Sequence, residues 1–145
     1  MSTERATYVD SSALVKLAVQ EAESAALRRY LTRHRPLVSS ALARTEVVRA
    51  LLPLGPDAVR RGREVLARVD LLRVSDRVLD AAGLLEPLEL RSLGAIHLAS
   101  AEQLGSDLRG FVTYDERLAT AAASRGLRVI QPTCALRAAR SPALD

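Results

Sequence analysis

Short runs rich in apolar and β-branched residues alternate along this chain with longer stretches whose apolar positions recur every three or four residues. These are the periods of a strand and an amphipathic helix. ATYVD at residues 6–10 stops at Asp10, and SSALVKLAVQ after it opens with serines and settles into helical spacing, so a strand runs into a helix. ESAALRRYLTRHR, residues 23–35, continues as an amphipathic helix with arginines on its wet side, and PLVSS at 36–40 is a short strand entered through a proline. ALARTEVVRALLPL at 41–54 is helical until Pro53 and Gly55 stop it. The pattern then predicts a helix over 57–69, a strand in DLLRV at 70–74, and a helix over 75–85 with Ser75 as its cap. EPLELRS leads into a helix that begins around Gly94. GFVTYD at 110–115 reads as a strand, ERLATAAASRG at 116–126 as a helix closed by glycine, and LRVIQP at 127–132 as a last strand.

Strands that alternate with helices predict an α/β fold, a parallel sheet with helices on both faces. The 145 residues, 48% hydrophobic, suffice for one domain with one core and are too few for two. The end, RAARSPALD, reads as a frayed tail, disordered from about residue 138. Aromatic residues make up only 3% and tryptophan is absent, so no platform for stacking unpaired bases is visible.

Twenty-one Lys and Arg against 17 Asp and Glu give a net charge of +4, with Lys16 the only lysine. Arginine suits phosphate and carboxylate partners through its bidentate fork, and Arg28, Arg29, Arg33 and Arg35 are candidates for a phosphate-facing surface. A solvated helix face in an arginine-rich protein explains them equally well. A single cysteine, Cys134, excludes a disulfide framework and a cysteine-based zinc site. No apolar run reaches the ~20 residues of a membrane span, and MSTERAT lacks a signal-peptide core, so a cytoplasmic protein without membrane contact is expected.

In parallel α/β sheets the ligand site lies beyond the carboxyl ends of the strands. Asp10 ends TYVD and Asp115 ends FVTYD, which places two acids there. Glu46 is the third: Ala43, Val47, Ala50 and Leu54 define an apolar stripe on its helix, and Glu46 falls on that side. Taken singly, Asp10 and Asp115 are explained as helix caps and Glu46 as a partner of Arg49. Together they converge on one edge of the sheet, where a hard divalent cation is the usual means of holding carboxylates ionised side by side. Oxygen-only ligation points to magnesium or manganese rather than zinc. No G-x-G-x-x-G follows a strand and no P-loop is present, which argues against dinucleotide or nucleotide binding. A phosphoacceptor receiver also needs a lysine near a late strand, and Lys16 follows the first.

YVDSSALVKL, ARTEVVRAL, LRSLGAIHLASA and FVTYDERLATAA resemble, in order and spacing, the motif blocks of PIN domains, most closely the VapC toxins of bacterial toxin–antitoxin pairs. The resemblance covers essentially the whole chain and implies a PIN-like, Rossmann-like parallel sheet sandwiched between helices, as one domain over 1–145. It implies Mg- or Mn-dependent endonucleolytic cleavage of RNA, transfer or ribosomal, in a bacterial cytoplasm. By the same resemblance Asp10, Glu46 and Asp115 match three of four family carboxylates, with catalytic and metal-ligating roles. Gly94 stands where the family has its third acid, so this chain lacks one ligand and is expected to be impaired or inactive. Ser11, Thr113 and His97 are candidates for groups that orient the ligands, although core packing or a backbone hydrogen bond explains His97 as well. The resemblance further implies a homodimer and a VapB-like antitoxin that neutralises the toxin in a hetero-oligomer. The competing function is a non-catalytic PIN-like module that binds antitoxin or RNA without cutting.

Overall fold

The computed structural model describes residues 5–133; Cys134 and the tail expected to be disordered from about 138 lie outside the described residues. Among these residues five parallel strands form one sheet: β1 (Ala6–Val9), β2 (Leu37–Ser40), β3 (Asp70–Leu72), β4 (Leu108–Val112) and β5 (Val129–Ile130). Seven α-helices connect them: α1 (Ser11–Ala18), α2 (Ser24–Arg33), α3 (Ala43–Leu51), α4 (Pro56–Leu66), α5 (Asp76–Gly83), α6 (Ser92–Glu102) and α7 (Glu116–Ser124). The strand order is β3-β2-β1-β4-β5. The chain therefore winds outward from β1 in one direction and later from β4 in the other, and the crevice where the order reverses opens at the carboxyl ends of β1 and β4.

Alternation along β1 sorts the two layers. Val9 joins Leu14, Leu27, Val47, Leu51 and Leu66 in the core beneath α1 to α4, while Tyr8 joins Val38, Leu98, Phe111 and Leu118 on the opposite face under α6 and α7. Both central strands β1 and β2 are buried along their length, and the edge strands β3 and β5 remain largely half-exposed.

The structure corrects several expectations. The buried stripe of α3 is Ala43, Val47 and Leu51; Ala50 is exposed and Leu54 is 63% exposed, because the α-helix ends at Leu51 and tightens into a 3₁₀ turn before Gly55 at φ +102°. Glu46 accordingly lies at the margin of the core, with its side chain 21% exposed. The strand expected over 110–115 ends at Val112, so Asp115 sits three residues past it. The last strand is confined to Val129 and Ile130, the two residues that find partners in β4. His34 is half-buried, its ring stacked on Tyr30 with centroids 3.9 Å apart.

Candidate active site

Asp10 follows the last residue of β1 and is the N-cap of α1. Its Oδ1 accepts from the Ser12 hydroxyl at 2.7 Å and the Ala13 backbone N–H at 3.1 Å, and its Oδ2 accepts from the Thr113 hydroxyl at 2.6 Å. The residue is 3% exposed, and burial raises its carboxyl above the ordinary range against the pull of those hydrogen bonds. A cap alone needs one accepted bond, so the two hydroxyls aimed at the same buried group exceed what the helix requires.

Thr113 links the first acid to the third. Its Oγ1 donates to Asp10 and accepts from the Asp115 backbone N–H at 3.0 Å. Asp115 is the N-cap of α7, its Oδ1 accepting from the backbone N–H groups of Arg117 and Leu118 at 3.0 and 3.2 Å. Unlike Asp10, it is exposed.

Glu46 belongs to a separate hydrogen-bonded chain. Its Oε1 accepts from the Ser11 hydroxyl at 2.5 Å and from His97 Nε2 at 2.6 Å, and His97 Nδ1 lies 2.7 Å from the Tyr8 hydroxyl. A carboxylate only accepts, so its bond assigns the hydrogen to Nε2; neutral His97 then takes the Tyr8 hydrogen at Nδ1. Burial pushes Glu46 upward, but the hydrogen bonds from His97 and Ser11, together with the charge His97 carries when protonated, bring it below the ordinary range. Burial raises the Tyr8 phenol, which stays protonated and able to donate. Glu46 is thus partnered by His97 rather than by Arg49, and His97, 3% exposed, is bound to side chains rather than simply packed.

Gly94 occupies the first turn of α6, half-buried and one turn before His97. A Cβ built on it would lie 3.1 Å from Leu90 Cδ1 and 3.7 Å from Leu118 Cδ1, so the missing side chain faces the first turn of α7, the turn that Asp115 caps. Only the flexible tip of Leu90 would have to yield to a side chain there.

The structure joins Asp10 to Asp115 through Thr113, and places Glu46 beside Ser11, the residue after Asp10. Among the described residues, however, no three His, Cys, Asp or Glu side chains form a group able to hold a metal ion. The donors are carboxylate oxygens, the type hard cations take, and magnesium typically binds through one or two carboxylates while keeping several waters. The residues present fit such a cation by donor chemistry, with fewer ligands than a full cluster. Sequence reasoning missed Ser12 and Tyr8. The period-2 reading of a buried strand labels Tyr8 as core and gives no sign that its hydroxyl meets a histidine 89 positions away.

The PIN domain family matches residues 7–124. The chain is 60% identical over 128 residues to ribonuclease VapC46 of Mycobacterium tuberculosis, a match covering 88% of this chain and 98% of that protein. It is 38% identical over 130 residues to ribonuclease VapC47 of the same species, covering 86% and 96%. In fold it resembles the crystal structure of M. tuberculosis VapC20, described as a sarcin–ricin loop cleaving toxin, with a TM-score of 0.69 over 87% of this chain and 99% of that one at 17% identity. A toxin–antitoxin complex from Klebsiella pneumoniae gives a TM-score of 0.61 over 77% and 88% at 19% identity.

Proposed function

Because the chain belongs to the PIN domain family and, within it, to the VapC ribonucleases, we infer that its chemistry is endonucleolytic hydrolysis of RNA at the Asp10–Glu46–Asp115 end of the sheet. We infer also that Gly94 leaves the present chain weakly active or inactive. The observation that carries the reading is the buried carboxylate of Asp10, held by Thr113 and Ser12 at the switch point of the sheet.

Family members are divalent-metal enzymes, and the oxygen donors here favour magnesium or manganese over zinc. Such a cation, when bound, polarises the scissile phosphate and offsets the charge that develops on it. Asp10 and Asp115 would hold it, with Glu46 beside them. Thr113 and Ser12 fix the rotamer of Asp10, while His97 and Ser11 hold Glu46 by Oε1 and leave Oε2 outside that pair of bonds. Partners that merely orient metal ligands are worth ~10–100-fold in affinity or activity, so a missing ligand at position 94 should cost at least as much.

The antitoxin partner follows from the family, and a VapB-like chain with a basic side chain entering the carboxylate pocket is the form expected. Transfer or ribosomal RNA as substrate, a homodimer and a cytoplasmic location complete the reading; among the described residues no helix is long and apolar enough to cross a membrane. The test is cleavage of total bacterial RNA by the chain and by its Gly94→Asp form, each with magnesium, manganese or chelator. Leu90→Ala added to Gly94→Asp gives the new acid room. Metal-dependent cutting that appears or rises with the restored acid is expected. Folded protein that never cuts in any of these forms would leave the non-catalytic binding module in its place.

A further inference from the structure

Between Ser24 and Pro36 the chain carries Arg28, Arg29, Arg33 and Arg35 and no acid, and these four equal the whole chain's net charge of +4. All other positive and negative side chains balance. Arg28, Arg29 and Arg33 lie on α2, and Arg35 follows its end.

The fold carries this segment to the amino ends of the strands, opposite the carboxylates. The His34 carbonyl accepts from the Thr7 hydroxyl at 2.7 Å and the Pro36 carbonyl from the Thr7 N–H at 3.0 Å, which ties the segment to the start of β1. There Arg28 and Arg35, with Arg68 from the turn after α4, surround a cavity of about 250 Å³ floored by Leu31, Leu37 and Val69. A second hollow of about 360 Å³ on the outer side of α2 adds Arg29 and Arg33 and shares Arg28 and Thr32 with the first. Among the described residues none of these five arginines pairs with a carboxylate, whereas Arg60 and Arg125 do. Five exposed guanidinium groups without acidic partners repel one another and favour a bound polyanion.

The geometry points to an anchoring site for RNA phosphates on this basic face, separate from the carboxylates. Resting on the ribonuclease reading above, it answers a difficulty of that reading: a carboxylate cluster repels a polyanion, so an enzyme acting there needs fixed positive charge elsewhere to retain its substrate. Guanidinium forks suit phosphate oxygens, and an aliphatic floor offers no hydrogen bonds to base edges, so this face grips backbone and leaves sequence unread. Thr7 and Asp10 stand three residues apart on β1, about 10 Å of strand, so the basic and acidic poles lie at opposite ends of the same short sheet.

The experiment is fluorescence anisotropy of a labelled single-stranded RNA 20-mer with metal-free full-length protein in chelator, repeated over a range of salt. Losing three phosphate contacts should flatten the slope of log K against log salt by about 2, at ~0.7 per contact for single strands. Arg28→Ser/Arg35→Ser/Arg68→Ser is therefore expected to weaken binding roughly tenfold or more at low salt and to flatten the slope by that amount. Replacing the same three by lysine should keep most of the slope. Arg60→Ser/Arg73→Ser/Arg77→Ser, with the same change in net charge, is expected to have less than half the effect. Thermal unfolding checks that each variant folds. Equal effects of the two serine triples, or no effect of the first, would overturn the assignment. So would a first triple that keeps RNA affinity but loses affinity for a polyglutamate peptide, an outcome that assigns the face to an acidic protein. Binding in chelator needs no cleavage, so a protein that binds with the expected slope and cuts neither as it stands nor as its Gly94→Asp form would sink the nuclease reading alone.

Discussion

At the carboxyl ends of the strands Asp10 is 3% exposed and accepts three hydrogen bonds, whereas at the amino ends Arg28, Arg35 and Arg68 stand exposed around an open cavity. The first pole is built by side chains that hold one another in place. The second is built by charge density, with backbone contacts fixing only where the segment lies. Changes at the buried residues of the acidic pole should therefore alter chemistry and stability together, and changes at the basic pole should alter affinity and its salt dependence with little effect on the fold.

The sharpest separation of the poles is expected from Asp10→Asn. In a Gly94→Asp background that cuts RNA, it should lower metal-dependent cleavage by at least about a hundredfold, given that residues which only orient ligands already cost 10–100-fold. Single-turnover cleavage assays check this, and residual activity within tenfold would remove Asp10 from the site.

His97→Ala comes next. It leaves the buried Tyr8 hydroxyl without that partner and strips Glu46 of a donor, and should destabilise the protein by about 2–3 kcal/mol, read from urea unfolding. Glu46 has a folded pKa below its unfolded value, so its contribution is present above about pH 4.5 and is lost as pH falls through the lowered folded value. Stability of the parent should therefore decline more steeply than that of His97→Ala on acidification below pH 4.5. Parallel pH curves would show that Glu46 gains nothing from His97.

The same Asp10→Asn change should have an opposite, smaller effect on the metal-free fold. The Asp10 carboxyl is raised, so its ionised form costs stability as pH climbs from 3.8 through the folded value, and that cost persists at neutral pH. Asn keeps an oxygen for the cap, and its melting temperature at pH 7 should exceed the parent's by a few degrees, with the difference vanishing near pH 3. A lower melting point would mean that the hydrogen bonds outweigh the burial cost. Smallest of all, Asp115→Asn should change stability by less than about 0.5 kcal/mol because Asn caps helices as well as Asp, while still reducing cleavage. An exposed cap with no chemical role would lose neither.

Much of this was legible from pattern alone. The alternation of strand and helix survives element by element, because a parallel sheet buried on both faces leaves clear apolar runs and its crossover helices carry a 3.6-residue stripe. Asp10 and Asp115 were visible as acids at strand-to-helix passages, and both prove to be N-caps. Their different burial was not visible, since it depends on Thr113 meeting Asp10 across the β1–β4 pairing. The side of α3 that faces the core was misassigned by one position, enough to leave Glu46 half-buried with His97 as its partner. The contact between Tyr8 and His97 joins strand and helix far apart in the chain, and no local period encodes it. The basic segment was plain in the sequence, but Arg68 was not, because only the return of α4 to the amino edge brings it beside Arg28 and Arg35.

Calorimetric titration of manganese into the metal-free chain and its Gly94→Asp form decides whether the acidic pole holds a divalent cation with one ligand missing. One weak site is expected in the parent, strengthened about tenfold or more by the added carboxylate and abolished in either form by Asp10→Asn. Equal affinities in both forms, or manganese binding that survives Asp10→Asn, would contradict it.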